Sequence, residues 1–186
     1  PARCVLCQCH GLDEINLCYA CFASLPSTPR PKVFEYGKIY AGFAYQSPVD
    51  ELIQRFKFQE QLAFGRMLAK LCIESIHKDK PQALIPVPLH LKRLRQRGFN
   101  QSQELARYWG RQFAIPVLKN TLSRHRDTMP QSTLTAQERM PNVWGAFTAQ
   151  GDLPAHLALV DDVYTTGSTC LAAAEVLIAR GVQRVD

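Results

Sequence analysis

Apolar residues along this chain form short continuous runs that alternate with longer stretches of helical spacing. The runs ALIPV (residues 83–87) and LALV (157–160) have the length and composition of buried strands. Residues 101–113 and 168–180 carry apolar positions at helical spacing. Strands that alternate with helices are typical of a mostly parallel sheet. The pattern therefore predicts an α/β fold, with a parallel sheet flanked by helices.

The same pattern predicts further elements on both sides of these runs. We expect a strand over residues 39–46, then a helix with Ser47 as its N-cap and Pro48 at its first position. A second helix is expected over residues 62–76, and a long basic loop after ALIPV. The remaining predicted elements are a short strand near Val117, a short helix over residues 136–141 and a last strand begun by the tail GVQRVD, within which we expect the chain to end.

Composition limits the class of protein. The chain has 186 residues, of which 46% are hydrophobic and 20% charged, as in an ordinary globular protein with one main core. It has no run of about 18 apolar residues, so we expect no membrane span. The N-terminus shows no secretion signal, and we therefore expect a cytoplasmic protein.

A cysteine-rich opening segment ends at the proline-rich stretch PSTPRPKVFEYGK. This shift in composition predicts a boundary near residue 30, with a small metal-binding module over residues 1–30 and the main α/β domain over residues 31–186.

Five of the seven cysteines lie in the first 21 residues. Cysteines in the cytoplasm stay reduced, so spacing of this kind points to a metal. Two CxxC pairs separated by ten residues can place four thiolates around one structural zinc ion, without a coordination position for catalysis. The predicted ligands are Cys4, Cys7, Cys18 and Cys21. The alternative is a set of reduced thiols without metal, and the roles of Cys9 and His10 remain open.

Positive charge is concentrated in one segment of the chain. The whole chain carries a net charge of +6, whereas residues 92–126 contain nine lysines and arginines and one glutamate, a net charge of +8. Such asymmetry indicates a polyanionic partner, either a phosphate compound or a nucleic acid. A solvated basic face is the alternative.

Two aspartates and a cluster of hydroxyl residues follow the strand LALV. Ligands of open parallel sheets bind at the carboxyl ends of the strands. Carboxylates there can accept hydrogen bonds from sugar hydroxyls or hold Mg²⁺, and a hydroxyl-rich turn at a helix N-terminus can hold a phosphate. A capped helix start beside an exposed acidic turn is the alternative. The residues concerned are Asp161 and Asp162, followed by Thr165, Thr166, Gly167, Ser168 and Thr169.

The stretch LALVDDVYTTGST resembles the phosphoribosyl pyrophosphate (PRPP) motif of type I phosphoribosyltransferases. The resemblance implies that Asp161 and Asp162 contact the ribose hydroxyls, that residues 165–169 hold the 5-phosphate, and that Mg²⁺ accompanies PRPP. Together with the CxxC pairs, the stretches IPVPLHLKRLRQRGFNQSQELA and RHRDTMPQSTLTAQERMPNVWGAF make nearly the whole chain similar to the ComF or GntX-like family of late competence proteins.

This resemblance assigns roles to several basic residues. Type I enzymes bind pyrophosphate with the loop that corresponds to the stretch PLHLKRLRQRGFNQ (residues 88–101). This implies that Arg93 and Arg97 contact pyrophosphate, with a DNA backbone as the alternative, while Lys92 and Arg95 are equally well explained as solvated. A mobile loop that closes over the substrate implies contacts of Arg124 and Arg126 with pyrophosphate or a DNA backbone. No role follows for Arg139 and Asn142.

Three functions fit these features. The resemblance favours a competence protein that handles incoming single-stranded DNA on a PRPP-binding domain, with a competence helicase as partner. The alternatives are a PRPP-dependent phosphoribosyltransferase whose acceptor is unknown, and a regulator that senses PRPP without catalysis. Aromatic residues that could stack on bases, although each is more typical of a core, are Phe99, Tyr108, Trp109 and Trp144.

Overall fold

A computed structural model of the chain describes residues 3–12, 15–28, 30–58, 62–73, 80–125 and 145–186. The backbone divides into two compact units, residues 1–31 with 40–80, and residues 32–39 with 81–186. The features predicted from sequence that lie outside the described residues are the end of the helix predicted over 62–76 (residues 74–76), the helix over 136–141, the site residue Arg126, and Arg139, Asn142 and Trp144.

Two amphipathic helices, α2 (Val49–Phe58) and α3 (Leu62–Leu71), pack together in the first unit. The side chain of Phe56 is fully buried between them. Gly65 of α3 lies directly against this ring, since a Cβ at Gly65 would be 2.4 Å from Phe56 Cε2. Helix α2 begins at Val49, so the predicted start at Pro48 is one residue early.

The first unit also contains the cysteine-rich segment. Its short helix α1 (Tyr19–Ala23) has Cys18 as its N-cap, and the Cys18 sulfur accepts a hydrogen bond from the backbone N–H of Cys21. Helix α2 is hydrogen-bonded to this segment through Arg55, whose Nη1 donates to the Val5 carbonyl at 3.2 Å.

The prediction of a strand over residues 39–46 is wrong. Strand β1 (Lys32–Phe34) and strand β2 (Gly37–Ile39) instead form an antiparallel hairpin that belongs to the second unit. With the described residues as partners, residues 40–46 make one isolated bridge, between Phe43 and Ser27. Proline has no N–H to donate to a ladder, and Pro26 beside this bridge only accepts a bond, from Ala44 N.

The second unit contains the parallel sheet that the sequence predicts. Strands β3 (Ala83–Pro86), β6 (His156–Val160) and β7 (Arg184–Val185) pair in the order β3-β6-β7. The predicted strand near Val117 is reduced to a single parallel bridge with Leu84 of β3. The prediction of a mixed α/β fold with a parallel sheet and flanking helices is confirmed.

The described part of the second unit contains three helices. Residues 91–97, predicted as a loop, form helix α4 (Leu91–Arg97), which ends at Gly98 in the left-handed region with φ 74°. Charge does not prevent a helix here, because leucine, lysine, arginine and glutamine all have high helix propensity. Helix α5 (Gln101–Phe113) covers the predicted residues and has Asn100 as its N-cap, and α6 (Ser168–Ile178) follows Gly167.

The second unit also contains a small antiparallel pair, β4 (Leu122–Arg124) and β5 (Phe147–Ala149). The main core of the unit lies between the sheet, this pair and α6, whose alanines allow the helix to pack closely on the strands. Its central side chains are Ile85, Val87, Leu122, Phe147, Leu157, Ala173, Leu177 and Val185. Within the described part of the chain, no helix combines the length and the apolar character needed to cross a bilayer.

Candidate functional site

Two aspartates lie where strand β6 ends. Asp161 and Asp162 follow Val160 directly, at the carboxyl edge of the parallel sheet. Asp161 Oδ1 accepts a hydrogen bond from Ser102 Oγ at 3.0 Å and another from the backbone N–H of Asp162 at 2.9 Å. The structure therefore joins the end of β6 to the first turn of α5, across 59 residues of sequence.

Helix α4 brings one of its four basic residues, Arg97, within electrostatic reach of this acidic pair. Arg97 is half-buried, and its Nη1 donates to Gln101 Oε1 at 3.2 Å. Burial lowers the pKa of the Arg97 guanidinium, and the positive charge of Arg93 lowers it further. The negative charges of Asp162 and Asp161 act in the opposite direction and raise this pKa, Asp162 more strongly. Arg97, one of the two predicted pyrophosphate residues, thus lies within the electrostatic reach of the predicted sugar residues, and Arg93 lies within that of Arg97.

The other two basic residues of α4 lie on a different face. Lys92 and Arg95 are exposed, whereas Arg93 and Arg97 are half-buried. Residues four apart share a face of an α-helix, which is why Arg93 and Arg97 turn the same way. The sequence alone does not indicate which of these four side chains are turned away from solvent. The helix shows that Arg93 and Arg97 are the less exposed pair.

The hydroxyl-rich turn opens helix α6. Gly167 has φ 78° and occupies the N-cap position, where a side chain is absent and the backbone is left-handed. Thr166 Oγ1 and Ser168 Oγ lie 3.1 Å apart, and Ser168 is buried. The turn therefore offers hydroxyls and the N-terminal end of a helix dipole, both suited to an anion.

A cleft of about 250 Å³ adjoins this turn. Tyr164 folds back over Gly167, where an added Cβ would lie 2.2 Å from the tyrosine hydroxyl oxygen. Burial raises the pKa of Tyr164, and it raises that of Cys170 still more strongly, so this thiol stays protonated near neutral pH. The lining residues are Phe34, Glu35, Ile39, Tyr164, Thr166, Gly167, Cys170 and Leu171.

The four predicted cysteine ligands come together in the first unit. The sulfur atoms of Cys4, Cys7, Cys18 and Cys21 all lie within 4.8 Å of one another, and the sulfurs of Cys7 and Cys18 are 3.6 Å apart. In a tetrahedral zinc–thiolate site, with bonds of about 2.3 Å, neighbouring sulfurs lie about 3.8 Å apart. The cluster can therefore hold a metal ion such as zinc, and it is compatible with a zinc ribbon.

Backbone N–H groups around the cluster favour a thiolate at its buried member. Burial opposes ionisation of Cys4, but hydrogen bonds from backbone groups of Cys7, Cys18 and Leu6 lower its pKa to about 6. Cys9 and His10 are exposed, and among the described residues the metal-competent group contains neither.

The remaining predicted residues occupy other places. Arg124 ends strand β4, with its guanidinium carbon 5.5 Å from the centre of the Phe147 ring. Trp109 is buried on α5, in keeping with a core residue, while Phe99 and Tyr108 are half-buried. Arg126 lies outside the described residues, so the structure describes no contact for it.

Sequence reasoning missed three residues that organise this edge. Asn100, Gln101 and Ser102 stand in the stretch RGFNQS, for which the apolar pattern predicts only a helix over residues 101–113. Gln101 and Ser102 are both buried although polar. Two consecutive polar residues at the start of an amphipathic helix gave no local signal that they face the sheet edge.

Comparison with known proteins identifies relatives over most of the chain, although no protein-family profile matches it. Competence protein F of Haemophilus influenzae is 38% identical over 153 residues, covering 76% of this chain and 67% of the relative. DNA utilization protein YhgH of Salmonella typhimurium is 28% identical over 199 residues, 98% of this chain and 87% of that protein. Competence protein ComFC of Streptococcus pneumoniae is 26% identical over 144 residues, 77% and 63% of the two chains. With this identity and coverage, the chain belongs to the ComF-like family.

Proposed function

We propose that this protein acts in the cytoplasm in DNA uptake and utilization, where it handles incoming single-stranded DNA and carries a binding site for PRPP with Mg²⁺. The names of its relatives, competence protein F and DNA utilization protein, support the biological role. The observation that carries the PRPP site is the meeting of Asp161, Asp162 and Arg97 at the carboxyl edge of the sheet.

In the proposed site each part of PRPP has a matching group. The carboxylates of Asp161 and Asp162 accept hydrogen bonds from the ribose hydroxyls and can hold Mg²⁺, which prefers oxygen ligands. The turn around Gly167 receives the 5-phosphate at the N-terminus of α6. Arg93 and Arg97 hold the pyrophosphate, whose several negative charges need compensation in a half-buried place.

Single-stranded DNA is proposed to contact the exposed face of α4. Lys92 and Arg95 are both solvent-exposed, so they can reach a phosphate backbone without entering the PRPP site. Neutralised phosphates release counterions, and this binding is therefore expected to weaken steeply with salt. In this arrangement DNA and PRPP occupy different faces of one short helix.

The cysteine cluster is proposed to hold one structural zinc ion. Four thiolates complete a tetrahedral site, which leaves no open position for substrate or water. The short segment around it contains few buried apolar residues, among them Leu17 and Leu25, so a bound metal would supply much of its stability. This module is the proposed contact for a competence helicase.

Fluorescence anisotropy with a labelled single-stranded oligonucleotide, measured at several salt concentrations with and without Mg²⁺-PRPP, tests the DNA proposal. Replacing Lys92 and Arg95 together with glutamine is expected to weaken DNA binding and to lower the slope of log K against log salt by about 0.7 per lost phosphate contact. The matched variant Arg97→Gln is expected to keep DNA binding. Absence of binding at low salt in the wild-type protein would contradict the DNA role.

Calorimetry with Mg²⁺-PRPP tests the sugar site. The double replacement Asp161→Asn and Asp162→Asn keeps the shape of both side chains but removes both charges, and it is expected to abolish PRPP binding. Arg97→Gln is expected to weaken it, whereas the Lys92 and Arg95 variant keeps it. Unchanged affinity in the aspartate variant would refute the assignment.

A second candidate function is transfer of phosphoribose from PRPP to an acceptor that has not been identified. Its support is the position of Arg97 near the acidic pair, because a cation there can stabilise pyrophosphate as it leaves. Release of pyrophosphate from Mg²⁺-PRPP in the presence of candidate acceptors would support an enzyme. PRPP binding without release under any of them would favour a PRPP-sensing regulator.

A further inference from the structure

Three segments of the second unit meet around the start of helix α5. The side-chain amide of Asn100 uses both of its ends, since Oδ1 accepts from the Ser102 N–H and Nδ2 donates to the Val87 carbonyl, each at 3.0 Å. Val87 follows β3, and its own N–H donates to the carbonyl of Val160, the last residue of β6. Asn100 therefore caps α5 and ties its first turn to the ends of two neighbouring strands.

Ser102 extends this connection to the acidic pair. Its hydroxyl donates to Asp161 Oδ1 at 3.0 Å, and the Asp162 N–H donates to the same oxygen at 2.9 Å. Two donors on one oxygen restrict rotation of the carboxylate, so they also determine the direction of the second oxygen, Oδ2. Because Ser102 is only 3% exposed, bulk water cannot easily replace its hydroxyl if it is removed.

We propose that Ser102 is a positioning residue for sugar recognition, which acts through Asp161 and is itself held in place by Asn100. This inference rests on the proposed function, because it assigns a role within the same PRPP site. A hydrogen bond to a charged acceptor is among the stronger ones in proteins. In metal sites, partners that orient a ligating side chain without touching the metal typically contribute about 10- to 100-fold in affinity or activity, and we expect a similar effect for Ser102.

A general structural role for Ser102 predicts a different result from a positioning role. A disturbed start of α5 would weaken binding of all anions, since Arg97 and Gln101 lie in the same region. A misdirected Asp161 would weaken only ligands that present sugar hydroxyls. Comparing PRPP with inorganic phosphate, which has no sugar, separates the two.

The experiment measures the dissociation constants of Mg²⁺-PRPP and of inorganic phosphate by calorimetry, with thermal unfolding of each variant as a check on the fold. Ser102→Ala is expected to raise the constant for PRPP by about 10-fold or more and to change that for phosphate less than about twofold. Ser102→Thr, which keeps the hydroxyl, is expected to recover most of the lost PRPP affinity. The matched control Ser123→Ala, in strand β4 of the same unit, should change neither.

Each outcome bears on the inference. Selective loss of PRPP affinity in Ser102→Ala supports it, and recovery in Ser102→Thr strengthens the assignment to the hydroxyl. Unchanged PRPP affinity, or equal losses for PRPP and phosphate, overturns the inference and leaves the proposed function standing. A wild-type protein that binds phosphate but not PRPP overturns both.

Discussion

Replacing Gly65 with alanine is expected to destabilise the first unit, against the expectation from helix propensity. Gly65 lies inside α3, where alanine is favoured over glycine by about 1 kcal/mol. The new Cβ, however, would lie 2.4 Å from Phe56 Cε2 and 2.6 Å from its Cζ, whereas carbon atoms in contact stay about 3.5 Å apart or more. The ring or the helix must therefore move by about 1 Å.

The fully buried ring of Phe56 cannot turn out to solvent, so this movement disturbs the packing of α2 on α3. Overpacking of a core costs about 1–3 kcal/mol, which exceeds the gain in helix propensity. We expect Gly65→Ala to lower the free energy of unfolding by about 1 kcal/mol or somewhat more.

Urea unfolding followed by far-ultraviolet circular dichroism measures this effect as a change in midpoint at constant slope. Phe56→Leu removes the two ring atoms nearest the new Cβ and serves as the background for a double-mutant cycle. In that background Gly65→Ala is expected to become neutral or stabilising, so the two substitutions should be coupled by about 1–3 kcal/mol. Stabilisation by Gly65→Ala in the wild-type background would refute the packing argument.

Three further outcomes are expected. Metal analysis of purified protein should find one zinc per chain, lost in Cys7→Ser and kept in Cys9→Ser; much less than one zinc with intact thiols would contradict the zinc proposal. Burial raises the pKa of Cys72 to about 12 despite a hydrogen bond from Gly42. Folding stability should therefore fall as the pH rises above about 9, where the unfolded thiol ionises and the folded one does not, by up to about 1.4 kcal/mol per pH unit, and Cys72→Ala should reduce this slope. Gly167→Ala should weaken PRPP binding, because φ 78° strains alanine by about 1–2 kcal/mol and the Cβ displaces Tyr164; unaltered affinity would argue against the turn as phosphate site.

Local patterns in the sequence were sufficient for the strands of the parallel sheet and for helix α5. Continuous apolar runs predict β3 and β6, and apolar positions at helical spacing predict α5 over the residues observed. The CxxC spacing likewise predicted which four sulfurs lie together. In each case the signal lies within a few neighbouring residues, so no distant partner is needed to interpret it.

Predictions failed where pairing partners or competing propensities decided the outcome. Residues 40–46 have the composition of a strand, but the hairpin of β1 with β2 ends at Ile39 and the segment next to Phe43 contains Pro26. Residues 91–97 are predicted as part of a basic loop, although every residue type in them favours a helix.

The candidate site shows the same division between local and long-range information. The sequence by itself determined that two aspartates, a hydroxyl-rich turn and a basic segment exist, because each is a short motif next to a recognisable strand or helix. Only the tertiary structure decided that Arg97 lies near the acidic pair and that Ser102 is hydrogen-bonded to Asp161. These relations join residues about 60 positions apart through the meeting of β3, β6 and α5, and such a meeting depends on the packing of the whole sheet rather than on any local pattern.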